Sequence, residues 1–334
     1  MKAVRYESYG GYDENKFVTV APPVRGKDEV LVKMNIVGIN PLDNTFRSGE
    51  HRASVAENLP RIGGQTGIGD VIESVSPAFP VGTRVIVAGG PFGRTVDGTW
   101  AEIMSVNTAY LHHPHPMSGD KDNAAFVAGA GYLTGYLSLT EFANFKPGQT
   151  VLAPGIGGAV GMESVQIAKR LGASMAISTA STTVKANQAR AAGYEHVIDL
   201  SQEGLKDGVM RLTDGKGVDV VIDGIGGDVT SESLASLRFG GMLVSVGYAA
   251  SKMTEINVTD LIWRGATVRG FIFNPAIFSA EVLAAASKTC AEYYAQGDLT
   301  PTIAKIFPLE DAAEAVRYLI EDRPFGRVLM QVSQ

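Results

Sequence analysis

Two patterns of apolar and polar positions follow one another along this chain. Over residues 1 to about 115, short apolar runs are separated by glycine and proline, and residues 29–34, 70–75 and 83–88 read as strands. That spacing predicts an irregular β-barrel or sandwich. From about 120 to 265, strand and helix alternate. Residues 150–153 form a short apolar strand, and a helix follows at 161–171, with Val160, Ser164, Ile167, Ala168 and Leu171 on one face and Gly172 as its stop. Residues 174–178, 196–199, 218–223 and 242–246 read as further strands, and 182–192 as a further helix. Repeated βα units with fully apolar strands predict a parallel, doubly wound α/β sheet covered on both faces. Residues 124–139 are apolar but interrupted by Gly129, Gly131, Thr134 and Gly135, which predicts a core helix. After 265 come a strand (267–273), a helix (280–296), a strand (303–307), a helix (about 310–320) and a last strand (327–332).

Composition narrows the function classes. A chain of 334 residues accommodates two domains. The net charge of −6, without a lysine or arginine run, argues against a nucleic-acid partner. The lone Cys290 rules out an intrachain disulfide and cysteine-rich zinc sites, and fits a reducing compartment. The first residues lack a signal-peptide core, and no apolar run reaches 18 residues. The expectation is a soluble cytoplasmic protein with no membrane partner.

The strand at 150–153 runs into Pro154-Gly155-Ile156-Gly157-Gly158-Ala159-Val160-Gly161 and then a helix. Glycines there let backbone approach a pyrophosphate, and the helix N-terminus offers N–H groups to it. The match to G-x-G-x-x-G is imperfect, and its weight comes from the surrounding βα units. The competing reading is a turn that merely packs helix on strand. An NAD site usually carries an acid at the end of the second strand, but no Asp or Glu lies between Glu163 and Glu195. Thr179, Ser181, Thr182 and Lys185 stand there instead. Hydroxyls and a cation suit a 2′-phosphate, so NADPH is favoured over NADH, although N-capping would account for the hydroxyls too.

Further motifs carry a family resemblance. Gly38-Ile39-Asn40-Pro41-Leu42-Asp43, Arg47-Ser48-Gly49, Gly64 to Gly69, Thr134-Gly135-Tyr136, Lys146-Pro147-Gly148, the glycine loop, Val218 to Gly227, and Phe307-Pro308-Leu309-Glu310-Asp311 occur in one order. In that order they resemble the zinc-independent medium-chain dehydrogenases/reductases of the quinone oxidoreductase (zeta-crystallin-like) branch. The resemblance implies a GroES-like β-barrel from 1–120 and 266–334, a Rossmann NADP(H)-binding domain over 121–265, and a homodimer. It implies that Thr134 meets the nicotinamide end and that Gly158 to Gly161 hold the pyrophosphate. Ser181 and Lys185, with Arg323, would hold the 2′-phosphate. Val246, Gly247, Tyr248, Phe271, Ile272 and Phe273 would line the nicotinamide ribose and ring.

Departures from the zinc-dependent relatives bear on mechanism. Asn40 stands at their first ligand position and Gln65-Thr66 at the second, so no metal is expected. Simple alcohol oxidation then lacks a Lewis acid. Reduction of a quinone, or of the C=C of an α,β-unsaturated carbonyl, needs less help, and implies an apolar electrophile as substrate. Hydride would transfer directly from the nicotinamide. Relatives often place a tyrosine near Thr45 or His51, and here there is none. His51 is the candidate proton donor, against the plainer reading of a loop histidine. Asn40 and Asp43 are candidates to orient the site or bond the ligand. Phe271, Phe273 and Phe278 read equally as pocket wall or core. Two alternatives stay open: a 2-enoyl thioester reductase, and a non-catalytic NADPH-binding protein.

Overall fold

The computed structural model describes residues 1–51, 54–115, 118–274 and 276–332. The chain forms two compact units, 1–129 with 301–334, and 130–300. In chain order the first unit contains β1 (Lys2–Tyr6), β2 (Lys16–Thr19), β3 (Glu29–Ile39), α1 (Pro41–Ser48), β4 (Arg61–Ile62), β5 (Gly67–Glu73), β6 (Arg84–Val87), β7 (Ile103–Asn107), β8 (Leu111–His112) and α2 (Asp120–Val127). The second unit follows with α3 (Gly131–Leu137), β9 (Thr150–Leu152), α4 (Ala159–Arg170), β10 (Met175–Ala180), α5 (Thr183–Ala191), β11 (His196–Asp199), α6 (Leu205–Leu212), β12 (Val218–Asp223), α7 (Asp228–Leu234), β13 (Leu237–Ser245), α8 (Val258–Arg264), β14 (Thr267–Gly270) and α9 (Ala280–Ala295). The chain then returns to the first unit with β15 (Ile303–Pro308), α10 (Ala312–Arg317) and β16 (Arg327–Gln331).

β3 organises the first unit. Residues 31–37 pair with β5 along one edge. Along the other, residues 29–33 pair with β7 and 36–39 with β16, so the C-terminal strand joins this sheet, while β1 pairs with β2 and β4 in a second one. β3 alternates buried Val30, Val32 and Met34 with less buried neighbours, and then buries every residue of 36–39. Trp100 is 1% exposed in the core against these residues.

In the second unit the strand order is β11-β10-β9-β12-β13-β14, and every neighbouring pair is parallel. Leu152, Ile177, Ile198, Val221 and Leu243 pack together from successive strands, with Leu205, Val209 and Leu234. Strand order reverses between β9 and β12, and ligands of open α/β sheets bind at the carboxyl ends beside such a reversal.

Two sequence expectations are corrected. The chain divides at 129/130 and 300/301, not at 120 and 265. β14 extends the parallel sheet by pairing residues 267–270 with 242–245 of β13, so 266–300 belong to the second unit. The expected helix at 124–139 is two helices. Ala130 takes φ +50°, which ends one path and starts another. The break lets α2 pack Ala124 and Ala125 on Ile36 and Ile68 of the first unit. In the second unit, Gly131 and Gly135 of α3 lie against Glu163 and Ser164 of α4.

Candidate active site

The loop between β9 and α4 is built for close backbone approach. Gly155 has φ +83°, and its N–H donates to Thr179 Oγ1 at 3.0 Å. Ile156 N–H donates to the Thr179 carbonyl at 2.8 Å. A Cβ on Gly161 would stand 2.3 Å from Gly155 O, so the first turn of α4 sits directly on the loop. A Cβ on Gly158 would meet only Gly155 O, at 3.6 Å. No side chain caps α4, and its first N–H groups face away from any intrahelical acceptor. This uncapped, side-chain-free cradle fits a pyrophosphate.

Thr179 is 2% exposed and its hydroxyl braces the loop. Ser181 is exposed just past β10, and Lys185 is half-buried on the first turn of α5. Thr182 caps that helix, accepting from Lys185 N–H at 3.3 Å. The nearest strand-end acid is Asp199, in register with Ala180 on the neighbouring strand. Hydroxyls of Ser201 and Thr183 bond its two oxygens at 2.6 Å each, and hold the carboxyl below its ordinary range.

Val246, Gly247 and Tyr248 follow β13. A Cβ on Gly247 would lie 3.0 Å from Gly224 O, and Val246 N–H donates to the Asp223 carbonyl. Phe271 N–H continues the ladder to Ser245 O. Its ring meets those of Phe142, Phe273 and Phe278 at centroid distances of 5.0–5.6 Å. Phe278 is buried, whereas Ile272 and Phe273 are exposed, so the cluster is core below and apolar surface above. Thr134, 7% exposed on α3, bonds its own helix at the Ala130 carbonyl. Arg323 belongs to the first unit, where its Nε donates to Ile320 O at 3.5 Å.

The first unit holds the other candidates, and joins Asn40, Asp43 and Gln65 in one corner. Asn40 follows β3 and caps α1. Its Oδ1 accepts from Leu42 N–H at 2.8 Å, while the Asp43 carboxylate accepts from Asn40 N–H at 2.9 Å. Gln65 Nε2 donates to Asp43 Oδ1 at 2.9 Å and to Asn40 Oδ1 at 3.4 Å. Gly64 precedes Gln65 with φ +92°, and a Cβ there would stand 2.2 Å from the Trp100 ring, so only glycine lets the chain pass under that ring. His51 packs edge-on against Phe46, centroids 4.6 Å apart, in the loop after α1. A tyrosine does reach this loop, from the N-terminal segment: Tyr9 OH donates to Val55 O at 2.8 Å. Its pairing across 46 residues has no local sequence signal.

Burial pushes the Asp43 carboxyl up to about 7, against the opposing hydrogen bonds from Gln65 and Asn40. The raised value makes the folded state hold its proton where the unfolded chain releases it. Stability from this group is therefore full below about pH 4 and declines as pH rises towards 7, by roughly 1.4 kcal/mol per unit. Asp43→Asn keeps a side-chain acceptor for Asn40 N–H and abolishes the decline. Denaturant unfolding of both proteins at pH 4.5 and 8 checks this. A wild-type minus variant difference independent of pH contradicts it.

The zinc donors of dehydrogenases are thiolate, imidazole and carboxylate. Asn40 and Gln65 offer amides and Thr66 a hydroxyl, and the one carboxyl beside them, Asp43, is buried and accepts from Asn40 N–H and Gln65 Nε2, so this set does not fit that ion. Among the described residues no group of three or more His, Cys, Asp or Glu is placed to hold a metal. Among them, too, no helix is long and apolar enough to cross a membrane.

Comparison with known proteins agrees with this geometry. Residues 26–116 match the alcohol dehydrogenase GroES-like domain, and residues 159–288 match the zinc-binding dehydrogenase family. The chain is 32% identical to a quinone oxidoreductase of Pseudomonas aeruginosa, over 98% of this chain and 99% of that one. It is 31% identical to a 2-haloacrylate reductase of Burkholderia sp, over 96% of each. A mycobacterial protein solved in complex with NADPH superposes with a TM-score of 0.84 at 26% identity, covering 99% of this chain and 100% of that one. The fold is thus a GroES-like domain with a Rossmann domain, and the protein is a medium-chain oxidoreductase with an NAD(P)-binding fold. Within that class the chain belongs to the quinone oxidoreductase family.

Proposed function

We propose that the protein reduces a quinone, or the C=C of an α,β-unsaturated carbonyl, with NADPH and without a metal. The observation that carries this is the nucleotide cradle, followed by a second strand that ends in hydroxyls and a lysine where an NAD site has an acid. Similarity to a quinone oxidoreductase and a 2-haloacrylate reductase supports the acceptor class. The bound dinucleotide supplies hydride from nicotinamide C4 to the electrophilic carbon. The α4 N-terminus binds the pyrophosphate. Ser181 and Lys185 hold the 2′-phosphate. Thr134, Val246 to Tyr248 and Phe271 to Phe273 position the nicotinamide end. The apolar lip of Ile272 and Phe273 favours an apolar electrophile, and His51 is the candidate proton donor.

A second reading, 2-enoyl thioester reduction, is favoured by 29% identity over 92% of this chain to a segment of a phthiocerol polyketide synthase subunit. Rates on a quinone, an enone and an enoyl thioester, measured side by side, separate the two. The proposal expects the thioester to be the poorest acceptor, and a thioester turned over fastest overturns it.

We also propose a homodimer. All four residues of edge strand β14 are exposed, and Phe239, Ile262 and Trp263 stand 67–76% exposed in the same unit. An open strand edge and exposed apolar side chains in one unit call for a cover, and a second copy supplies one. Trp263→Glu is expected to convert a dimer to a monomer in sedimentation analysis. A wild-type monomer contradicts the proposal.

A further inference from the structure

We propose that Asn40 is a catalytic residue, its Nδ2 donating a hydrogen bond to the carbonyl oxygen of the electrophile as negative charge develops there. The assignment rests on the reductase reading above and gives one group a role within it.

Three observations carry it. First, the orientation of the amide is fixed. Leu42 N–H and Gln65 Nε2 both donate to Asn40 Oδ1, so turning the amide over would set its NH2 against two donors and leave the Leu42 N–H without an acceptor. Second, the acceptor that lies beside it is already used. Asp43 takes the Asn40 backbone N–H on one oxygen and Gln65 Nε2 on the other. Third, Nδ2 donates to no described residue, although Asn40 is only 7% exposed. Nδ2 is not among the enclosed unpaired polar atoms, so it is where this otherwise buried side chain stays open to an acceptor from outside the protein.

The chemistry requires such a donor. Hydride adds to the electrophilic carbon with its electron pair, the C=C π pair moves onto the carbonyl oxygen, and an enolate results. A neutral amide stabilises that oxygen without giving up its proton, and a proton delivered by His51 or by solvent completes the reduction. Preorganised donors of this kind act mainly in the transition state. The substrates that fit are those whose oxygen is conjugated with the reacting carbon.

The test is Asn40→Asp assayed above the raised range of the neighbouring Asp43 carboxyl, where the new carboxylate keeps the cap on Leu42 N–H and the side-chain shape but removes the donor. The expected result is a kcat about 100-fold lower on both a quinone and an enone. KM, NADPH affinity and Tm stay close to wild type. Should a second carboxylate beside Asp43 prevent folding, Asn40→Ser also caps the helix, and its shorter side chain gives the same prediction. A folded variant with kcat within threefold of wild type makes Asn40 a cap alone and overturns the proposal. Wild-type protein that turns over no acceptor overturns the reductase reading itself, a separate outcome.

Discussion

Replacing Gly161 with alanine is expected to weaken NADPH binding at least 100-fold and to lower Tm by several degrees. The added Cβ would lie 2.3 Å from Gly155 O and 2.6 Å from Gly155 C and Pro154 O. All three are backbone atoms, so no side chain can swing away. Helix α4 must lift off the loop, which misaligns its N-terminal N–H groups and costs about 1–3 kcal/mol of folding stability. Gly158→Ala separates the two effects. Its Cβ meets nothing closer than 3.6 Å, so the fold is kept and only ligand approach suffers. Fluorescence titration with NADPH and thermal unfolding measure both variants. Gly161→Ala with unchanged affinity and Tm would contradict the cradle.

The second large effect concerns which dinucleotide is used. Ser181→Asp places a carboxylate at the exposed end of β10, where it repels a 2′-phosphate and accepts from a 2′-hydroxyl. Hydrogen bonds to charged groups contribute about 1.5–3 kcal/mol, so NADPH kcat/KM is expected to fall roughly 10- to 100-fold. NADH kcat/KM should hold or rise. Lys185→Ala should weaken NADPH alone, by about tenfold. Equal losses for both cofactors would show that this turn does not read the 2′ position.

Much of the second unit was legible because its signals are local. The apolar strands at 196–199 and 218–223 and the glycine loop depend on neighbouring residues only. The strand at 267–273 was also visible, but its sheet was not. Which edge a strand joins is decided by pairing with β13, and periodicity carries no partner information. The break at Ala130 escaped because a left-handed alanine has no sequence signature, although the glycines at 129 and 131 flank it. Helix α1 could have been read in full: Asn40 as cap, Pro41 at its first position, Asp43 three residues on and Gly49 after its end are all start and stop signals. The contact of Gln65 with Asp43 spans 22 residues and depends on Trp100 packing over Gly64. It is a tertiary fact, and it is the one that turns three separate candidates into a corner with a fixed donor.

The most direct measurement is steady-state oxidation of NADPH and NADH by purified, chelator-treated protein, with a quinone and a simple enone as acceptors. Turnover is expected to survive the chelator, with kcat/KM at least tenfold higher for NADPH. Activity that disappears with the chelator, or a preference for NADH, would contradict it.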